Sequence, residues 1–322
     1  MKNGTIREFG KLCKMTQKKL KEHLVGRLES FGYKVINEDG YLYAKGELPY
    51  LLTAHMDTVH AVTCRNYKVG KTTDGELAVY SDDGIGGDDR CGIYMILRVL
   101  KDGFRPSILF CEDEEVGGVG SNKFCKSKWI DDLKKMRYLI ELDRANANDV
   151  VFYDCGNKDF IKFITKTTGY KEAIGSFSDI SHLSPACDVA SVNISCGYYK
   201  AHTTNEFVVI SEMENSIEVV EKLLKTECKQ YDFQEIERWS SRYGNIWYDD
   251  YYGSYYGYGY SGKSYGKKEE ILEGVEICYA DNGTLVTEAY WGDSLEYCLG
   301  EFMLEHPSKC LNDIAEYECI YW

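Results

Sequence analysis

Pro49-Tyr-Leu-Leu-Thr-Ala-His-Met-Asp57 is an uncharged run of strand length that stops on an imidazole and a carboxylate. Its apolar part, Pro49 to Ala54, reads as a buried strand, so His55 falls at the strand's end. In extended chain, residues i and i+2 point the same way, and His55 and Asp57 can therefore lie side by side. That pairing suits a metal-binding imidazole whose tautomer is fixed from behind by the carboxylate. Taken alone, a surface histidine near a chance aspartate would look the same.

The arrangement recurs along the chain. Ser107-Ile-Leu-Phe-Cys111 is a second buried strand, with Glu114 and Glu115 straight after it. Arg137-Tyr-Leu-Ile-Glu-Leu142 is a third, ending at Asp143, and Ala190-Ser-Val-Asn-Ile-Ser195 a fourth, with His202 a short loop beyond. Helical spacing separates them: Leu20, Leu24, Leu28 and Phe31 behind Thr16 in the N-cap position, Ile93, Ile96, Leu97 and Leu100 between Cys91 and Leu100, and Ile217, Val220, Leu223 and Leu224 within 213–228. Tyr33-Lys-Val-Ile36 and Tyr41-Leu-Tyr-Ala44 add two short strands across the turn-like Asn37-Glu-Asp-Gly40. Buried strands alternating with helices imply an α/β fold with a mostly parallel sheet, in which ligand sites gather beyond the carboxyl ends of the strands.

Ser81-Asp-Asp-Gly-Ile-Gly-Gly-Asp-Asp-Arg90 holds two aspartate pairs, and the second leads directly into a helix. Asp88 there could bridge two cations at roughly 3.5 to 4 Å, close enough for both to polarise one water. Adjacent glutamates diverge, so one of Glu114 and Glu115 can coordinate metal while the other faces that water as general base. Val116-Gly-Gly-Val-Gly120, just beyond, lets backbone approach the site closely. Asp143 ends an apolar strand and needs a positive partner, either a metal or the adjacent Arg144. Two imidazoles and a set of carboxylates suit zinc best, with manganese or cobalt as alternatives.

Composition excludes other functions. The net charge is −14, from 38 Lys and Arg against 52 Asp and Glu, the opposite of a phosphate-binding surface. The opening Met-Lys-Asn-Gly-Thr5 has no apolar stretch of signal-peptide type, and no run approaches the roughly twenty residues that span a bilayer. Thirteen cysteines, an odd number without CxxC spacing, read as reduced thiols, so a soluble cytoplasmic protein is expected.

Three regions are expected: a catalytic domain over 1–230, a low-complexity linker over 231–270 and a small α+β appendage over 271–322. Tyr243 to Gly266 carries nine tyrosines and six glycines with almost no aliphatic residues, which favours a solvated tether. Ile271 to Tyr279 and Thr284 to Tyr290 alternate like a hairpin across Asp281-Asn-Gly283, while Leu295 to Leu304 and Leu311 to Tyr321 read as helices.

Together, Leu52-Thr-Ala-His-Met-Asp-Thr-Val59, Gly87-Asp-Asp-Arg-Cys-Gly92, Asp113-Glu-Glu-Val-Gly117 and Ala201-His-Thr-Thr-Asn-Glu-Phe-Val208 resemble the co-catalytic zinc exopeptidases. That clan includes the peptidase T-like tripeptidases and the compact leucyl-type aminopeptidases. The resemblance covers about residues 16–228 and implies a three-layer sandwich around the sheet. It implies that His55 and Asp143 hold one metal, Glu115 and His202 the other, and Asp88 both, with Glu114 as general base and Asp57 as orienter. It also implies a cis peptide bond between Asp88 and Asp89. Ser176-Phe-Ser-Asp-Ile-Ser-His182 is similar to a loop that these enzymes keep beside the metals, which makes Ser178 and Asp179 candidates for substrate contact.

Two departures narrow the resemblance. The 59 positions from Asp143 to His202 leave no room for the lid domain of peptidase T-like enzymes, and the 31 from Asp57 to Asp88 exclude the insertion of another branch. The expectation is a lidless two-zinc exopeptidase acting on small peptides, as an aminopeptidase, through a metal-bridging hydroxide generated by Glu114. A deacylase or carboxypeptidase on the same centre, or a non-catalytic binding protein that keeps the fold, is the alternative. His23, His60 and His306 read as structural or surface histidines.

Overall fold

The computed structural model describes residues 2–60, 62–236, 272–281, 284–291 and 314–321. In chain order the first part runs α1 (Lys2–Cys13), α2 (Gln17–Ser30), β1 (Val35–Glu38), β2 (Tyr41–Ala44), β3 (Leu48–His55), β4 (Lys68–Lys71), β5 (Leu77–Tyr80), α3 (Gly87–Lys101), β6 (Pro106–Cys111) and α4 (Val119–Cys125). It continues through α5 (Ile130–Leu133), β7 (Tyr138–Arg144), β8 (Asp149–Val151), α6 (Lys158–Thr168), β9 (Lys171–Glu172), α7 (Asp179–Cys187), β10 (Ser191–Ser195), β11 (Tyr198–Tyr199), β12 (Phe207–Val209) and α8 (Ile210–Lys225).

Eight strands form one sheet in the order β1-β2-β6-β3-β7-β10-β8-β9, and its centre, β6-β3-β7-β10, is parallel throughout. The central strands are apolar at successive positions because both faces are covered. Leu52, Ala54, Ile108, Phe110, Tyr138, Ile140, Val192 and Ile194 pack with α2, α3, α6 and α8, through Leu24, Ile96, Phe160 and Val220 among others. The alternate positions Leu51, Leu109 and Leu139 pack on the other face against Phe124 of α4, Leu133 of α5 and Ile180 and Leu183 of α7. The result is the three-layer α/β sandwich expected from the sequence.

Thr16 is the N-cap of α2, accepting from the Lys19 amide at 3.4 Å, and Leu20, Leu24 and Leu28 form its buried stripe. A second sheet, β11-β12-β5-β4, was not foreseen. Its strands have two to four residues, too few for a period of two to register.

The chain divides into two compact units near residue 256. Described residues of the first continue to Ile236. Tyr231 stacks on Phe163 with ring centres 5.5 Å apart, and Glu235 forms a β-bridge with Cys155. The second unit contains β13 (Leu272–Asp281), β14 (Thr284–Trp291) and β15 (Ile314–Tyr321), an antiparallel sheet with β13 in the middle. The expected hairpin is β13 and β14, in register at Asp281 and Thr284. The helix expected over Leu311 to Tyr321 is instead β15, paired with β13. Glu316 and Glu318 alternate there with Tyr317 and Cys319, a strand period that a helical reading of the apolar residues overrode. The Tyr/Gly-rich stretch and the helix expected at Leu295 to Leu304 lie outside the described residues.

Candidate active site

Because β3 pairs in parallel with β6 on one side and β7 on the other, the carboxyl ends of three strands lie together. His55 is the last residue of β3, Asp143 the last but one of β7, and Glu114 and Glu115 closely follow β6. Asp88 comes from the start of α3 and His202 from the loop between β11 and β12. The expected ligands thus arrive from five separate segments.

One carboxylate joins the two imidazoles. His55 Nε2 lies 2.9 Å from Asp88 Oδ1, and His202 Nε2 lies 3.2 Å from Asp88 Oδ2. A further carboxylate approaches the same nitrogen of each ring: Asp143 Oδ1 is 3.5 Å from His55 Nε2, and Glu115 Oε2 is 3.3 Å from His202 Nε2. The Asp88-Asp89 peptide bond is cis. The Asp89 oxygens accept the backbone amides of His55 at 3.2 Å and Gly92 at 2.9 Å, which ties the end of β3 to the start of α3. Residue 92 must be glycine, since a Cβ would stand 1.8 Å from the Leu142 carbonyl oxygen. The other aspartate pair is spent on the surface, Asp82 with Lys68 and Asp83 with Arg65.

Asp57 organises the opposite wall. Its Oδ1 lies 3.1 Å from His55 Nδ1 and accepts the Glu114 amide at 3.0 Å, while Oδ2 accepts the Glu115 amide at 3.0 Å. A single carboxylate thereby sets the ring of one expected ligand and the backbone of the next two residues. Asp113, just before them, has φ of 58° and is held by Gln17 of α2, whose Nε2 donates to its Oδ1 at 2.9 Å. Asp143 receives the Ser178 hydroxyl on Oδ2 at 2.8 Å and the Tyr198 hydroxyl on Oδ1 at 3.3 Å. Arg144 points away to Asp149, with 3.9 Å between them, so the adjacent cation does not answer Asp143. Ser178 and Asp179 are both fully buried, Ser178 directed at Asp143 and Asp179 facing Ser121 and Cys111.

The donor set fits divalent cations. The nearest atoms of His55, Asp88 and Glu115 lie within 4.8 Å of one another, as do those of His55, Asp89 and Asp143, and both metal-suited clusters among the described residues fall here. Glu115 Oε1 is buried without a hydrogen-bond partner, a cost that a cation would relieve. Neighbouring ligands on tetrahedral zinc stand about 3.4 Å apart. The separations around Asp88, from 2.9 to 3.5 Å, bracket that value.

Without metal the site stores protons. Burial disfavours a charged His55, but Asp143, Asp57 and Asp88 outweigh it and hold the imidazole well above its usual range. Hydrogen bonds to Asp88 and Glu115 push His202 up to about 10. Burial opposes ionisation of Asp88, yet the two imidazoles keep it well below the carboxylate range. Asp143 is pushed up to about 7 by burial and by the charge of Asp88. Burial, reinforced by Asp143, Asp179 and Asp88, raises Glu114 well above the carboxylate range.

A proton on His202 stabilises the metal-free fold fully below about pH 6.5, and that contribution is lost as pH rises toward 10. Metal must displace the same protons. Zinc affinity is therefore expected to rise between pH 6.5 and 8.5 with release of protons, as calorimetry in two buffers of different ionisation enthalpy would measure. An affinity independent of pH would contradict this electrostatic picture.

Three residues that sequence reasoning passed over, Arg90, Asn193 and Glu206, hold the site, together with His60, which it read as structural or surface. Arg90 is buried and donates to the carbonyls of Met56 at 2.8 Å and Asp57 at 3.0 Å. Asn193 accepts the Asp143 amide at 2.9 Å. Glu206 and His60 pair at 3.0 Å. Arg90 and Glu206 stand inside motifs already quoted for other residues, and only their contacts distinguish them from solvated charges.

Residues 42–178 match the sequence model of peptidase family M28. No curated protein matches the chain. Among solved structures, the chain is similar to the aminopeptidase PepT from Bacillus cereus, with 14% identity, 70% of this chain and 98% of that one covered, and a TM-score of 0.56. A tripeptidase from Staphylococcus aureus shares 16% identity over 69% of this chain and 97% of that one, with a TM-score of 0.54. A TET aminopeptidase from the marine sediment archaeon Thaumarchaeota archaeon SCGC AB-539-E09 shares 12% identity over 69% and 97%, with a TM-score of 0.52. At these identities the structures show a common fold, and the family match supports a metallopeptidase. Residues 42–178 bear His55, Asp57, Asp88, Glu114, Glu115 and Asp143, and the match there is consistent with the co-catalytic exopeptidase clan that the motifs resemble.

Proposed function

We propose that this chain is a zinc-dependent aminopeptidase acting on small peptides. The observation that carries the reading is Asp88, whose two oxygens meet the imidazoles of His55 and His202 at 2.9 and 3.2 Å. In this reading His55 and Asp143 hold one zinc ion, Glu115 and His202 the other, and Asp88 both. Manganese or cobalt would suit the same donors. When bound, the ions supply the Lewis acidity that acidifies a shared water and polarises the scissile carbonyl.

Glu114 would serve as general base, taking up a proton from the attacking water and giving it to the leaving amine. In the metal-free protein, burial and then the neighbouring carboxylates hold its pKa high, as suits a group that takes up a proton. Asp57 keeps the proton of His55 on Nδ1 and so leaves Nε2 free for metal. Ser178 and Tyr198 position Asp143.

Charge favours an amino-terminal substrate over a carboxyl-terminal one. The site is lined by carboxylates and two imidazoles, and the nearby guanidiniums are engaged elsewhere, Arg90 on the Met56 and Asp57 carbonyls and Arg144 toward Asp149. With the ions bound, the carboxylates and metals largely offset one another, and neither guanidinium is left to pair with a substrate's free carboxylate, which favours the amino-terminal substrate. Free-amino dipeptides and tripeptides should be hydrolysed and N-acetylated ones should not, with activity lost to a chelator and restored by zinc. Cleavage of blocked peptides alone would assign a deacylase or carboxypeptidase. Failure of the zinc-loaded protein on every substrate would overturn the enzyme reading.

A further inference from the structure

Glu206 is a completely buried carboxylate with both oxygens engaged. Oε1 accepts the backbone amide of Asp88 at 2.9 Å. Oε2 accepts the amide of Gly86 at 2.8 Å and lies 3.0 Å from His60 Nε2. These contacts join three stretches far apart in sequence. Gly86 and Asp88 belong to the loop that delivers the bridging carboxylate, His60 follows the stretch carrying His55 and Asp57, and Glu206 itself sits four residues after His202.

The loop entering α3 cannot hold itself. Gly84 and Gly86 have φ of 83° and 66°, and glycine loses more conformational freedom on ordering than any other residue. His60 packs directly on that backbone, since a Cβ at Gly84 would stand 2.3 Å from its Cε1. Gly87 is equally confined, its absent Cβ meeting Val208 at 2.8 Å and Glu206 Oε1 at 3.2 Å. Asp88 must present one oxygen to each imidazole, so a shift of its backbone nitrogen would spoil both contacts together.

We propose that Glu206, braced by His60, is the positioning residue of the metal centre: it fixes the backbone of Asp88 relative to the segments bearing His55 and His202. It touches neither substrate nor metal and acts on both metal positions through Asp88. A carboxylate suits the task because it accepts two amide hydrogens and a ring hydrogen at once. An amide in its place offers one oxygen and turns an N–H against one of those donors.

The inference rests on the metal centre proposed above, and zinc affinity, read by competition with a chromophoric chelator, separates the two. Full-length Glu206→Gln should bind zinc about 10 to 100-fold more weakly than wild type, the range seen when the partners of metal ligands are removed. His60→Ala should weaken binding in the same sense. His60→Gln, which can place a donor near the position of Nε2, should recover most of the loss. At saturating zinc, kcat for a free-amino peptide should fall in Glu206→Gln with KM nearly unchanged.

Melting of the metal-free proteins controls for folding. Wild-type affinity in Glu206→Gln within twofold, or a lower melting temperature with no change in affinity, overturns the proposal and leaves the metal centre standing. Wild type that takes up no zinc overturns both. Should Glu206→Gln fail to fold, the His60 pair decides: equal affinity in His60→Ala and His60→Gln overturns the proposal.

Discussion

Replacing Glu114 by alanine is expected to leave zinc binding intact and peptide turnover nearly abolished. Glu114 is buried beside Asp88, Asp143 and Asp179, and its carboxylate is not among the groups facing the imidazoles. Its removal therefore subtracts no ligand, and because burial keeps its carboxyl largely protonated in the metal-free protein, little charge is removed there. Loss of a general base typically costs about 10² to 10⁴ in rate, or about 3 to 5 kcal/mol of barrier. Glu114→Gln, which keeps the shape and loses the basicity, should match alanine in kcat. Turnover within twofold of wild type in either variant would remove Glu114 from the mechanism.

Asp88→Ala is expected to be more damaging, because one side chain serves two imidazoles. His55 keeps Asp57 and Asp143 as partners, whereas His202 keeps only Glu115. In the metal-free variant the His202 proton should be held less tightly than the value of about 10 in wild type, and a ring-proton NMR titration would follow the change. With metal, neither ion keeps its shared ligand, so zinc should bind weakly and turnover should fall at least as far as in Glu114→Ala. Asp88→Asn offers one oxygen for two positions and should hold at most one ion tightly. A variant at position 88 that binds two ions with wild-type affinity would show that Asp89, the other carboxylate of the pair, is the bridge.

Much of this was legible before any coordinates. The central strands announced themselves as largely apolar runs, interrupted in β7 by Glu141, because both faces of the sheet are covered, and His55, Glu114, Glu115 and Asp143 stood out as polar residues just past apolar ones. The second aspartate pair was preferred because it leads directly into a helix, and its rivals Asp82 and Asp83 pair with lysine and arginine.

What escaped notice has physical reasons. The strands of the second sheet are too short for a period to emerge, yet β12 is what brings Glu206 under the Asp88 loop. Buried polar residues such as Arg90, Asn193 and Glu206 are chosen by distant partners, 34 positions away for Arg90 and Met56 and 118 for Glu206 and Asp88, which no local pattern encodes. The contact of Ser178 with Asp143 likewise joins residues 35 positions apart. The Ile314–Tyr321 strand was misread because a helical stripe and a strand alternation coexist in eight residues, and pairing with β13 decides between them.

The central claim is that six side chains surround a pair of cations shared by Asp88. Elemental analysis of the purified full-length chain after zinc loading and dialysis tests it most directly. The expected result is about two zinc ions per chain in wild type and in Glu114→Ala, and less than one in Asp88→Ala. Wild-type protein that keeps only trace metal, or an Asp88→Ala variant that retains two ions, would contradict it.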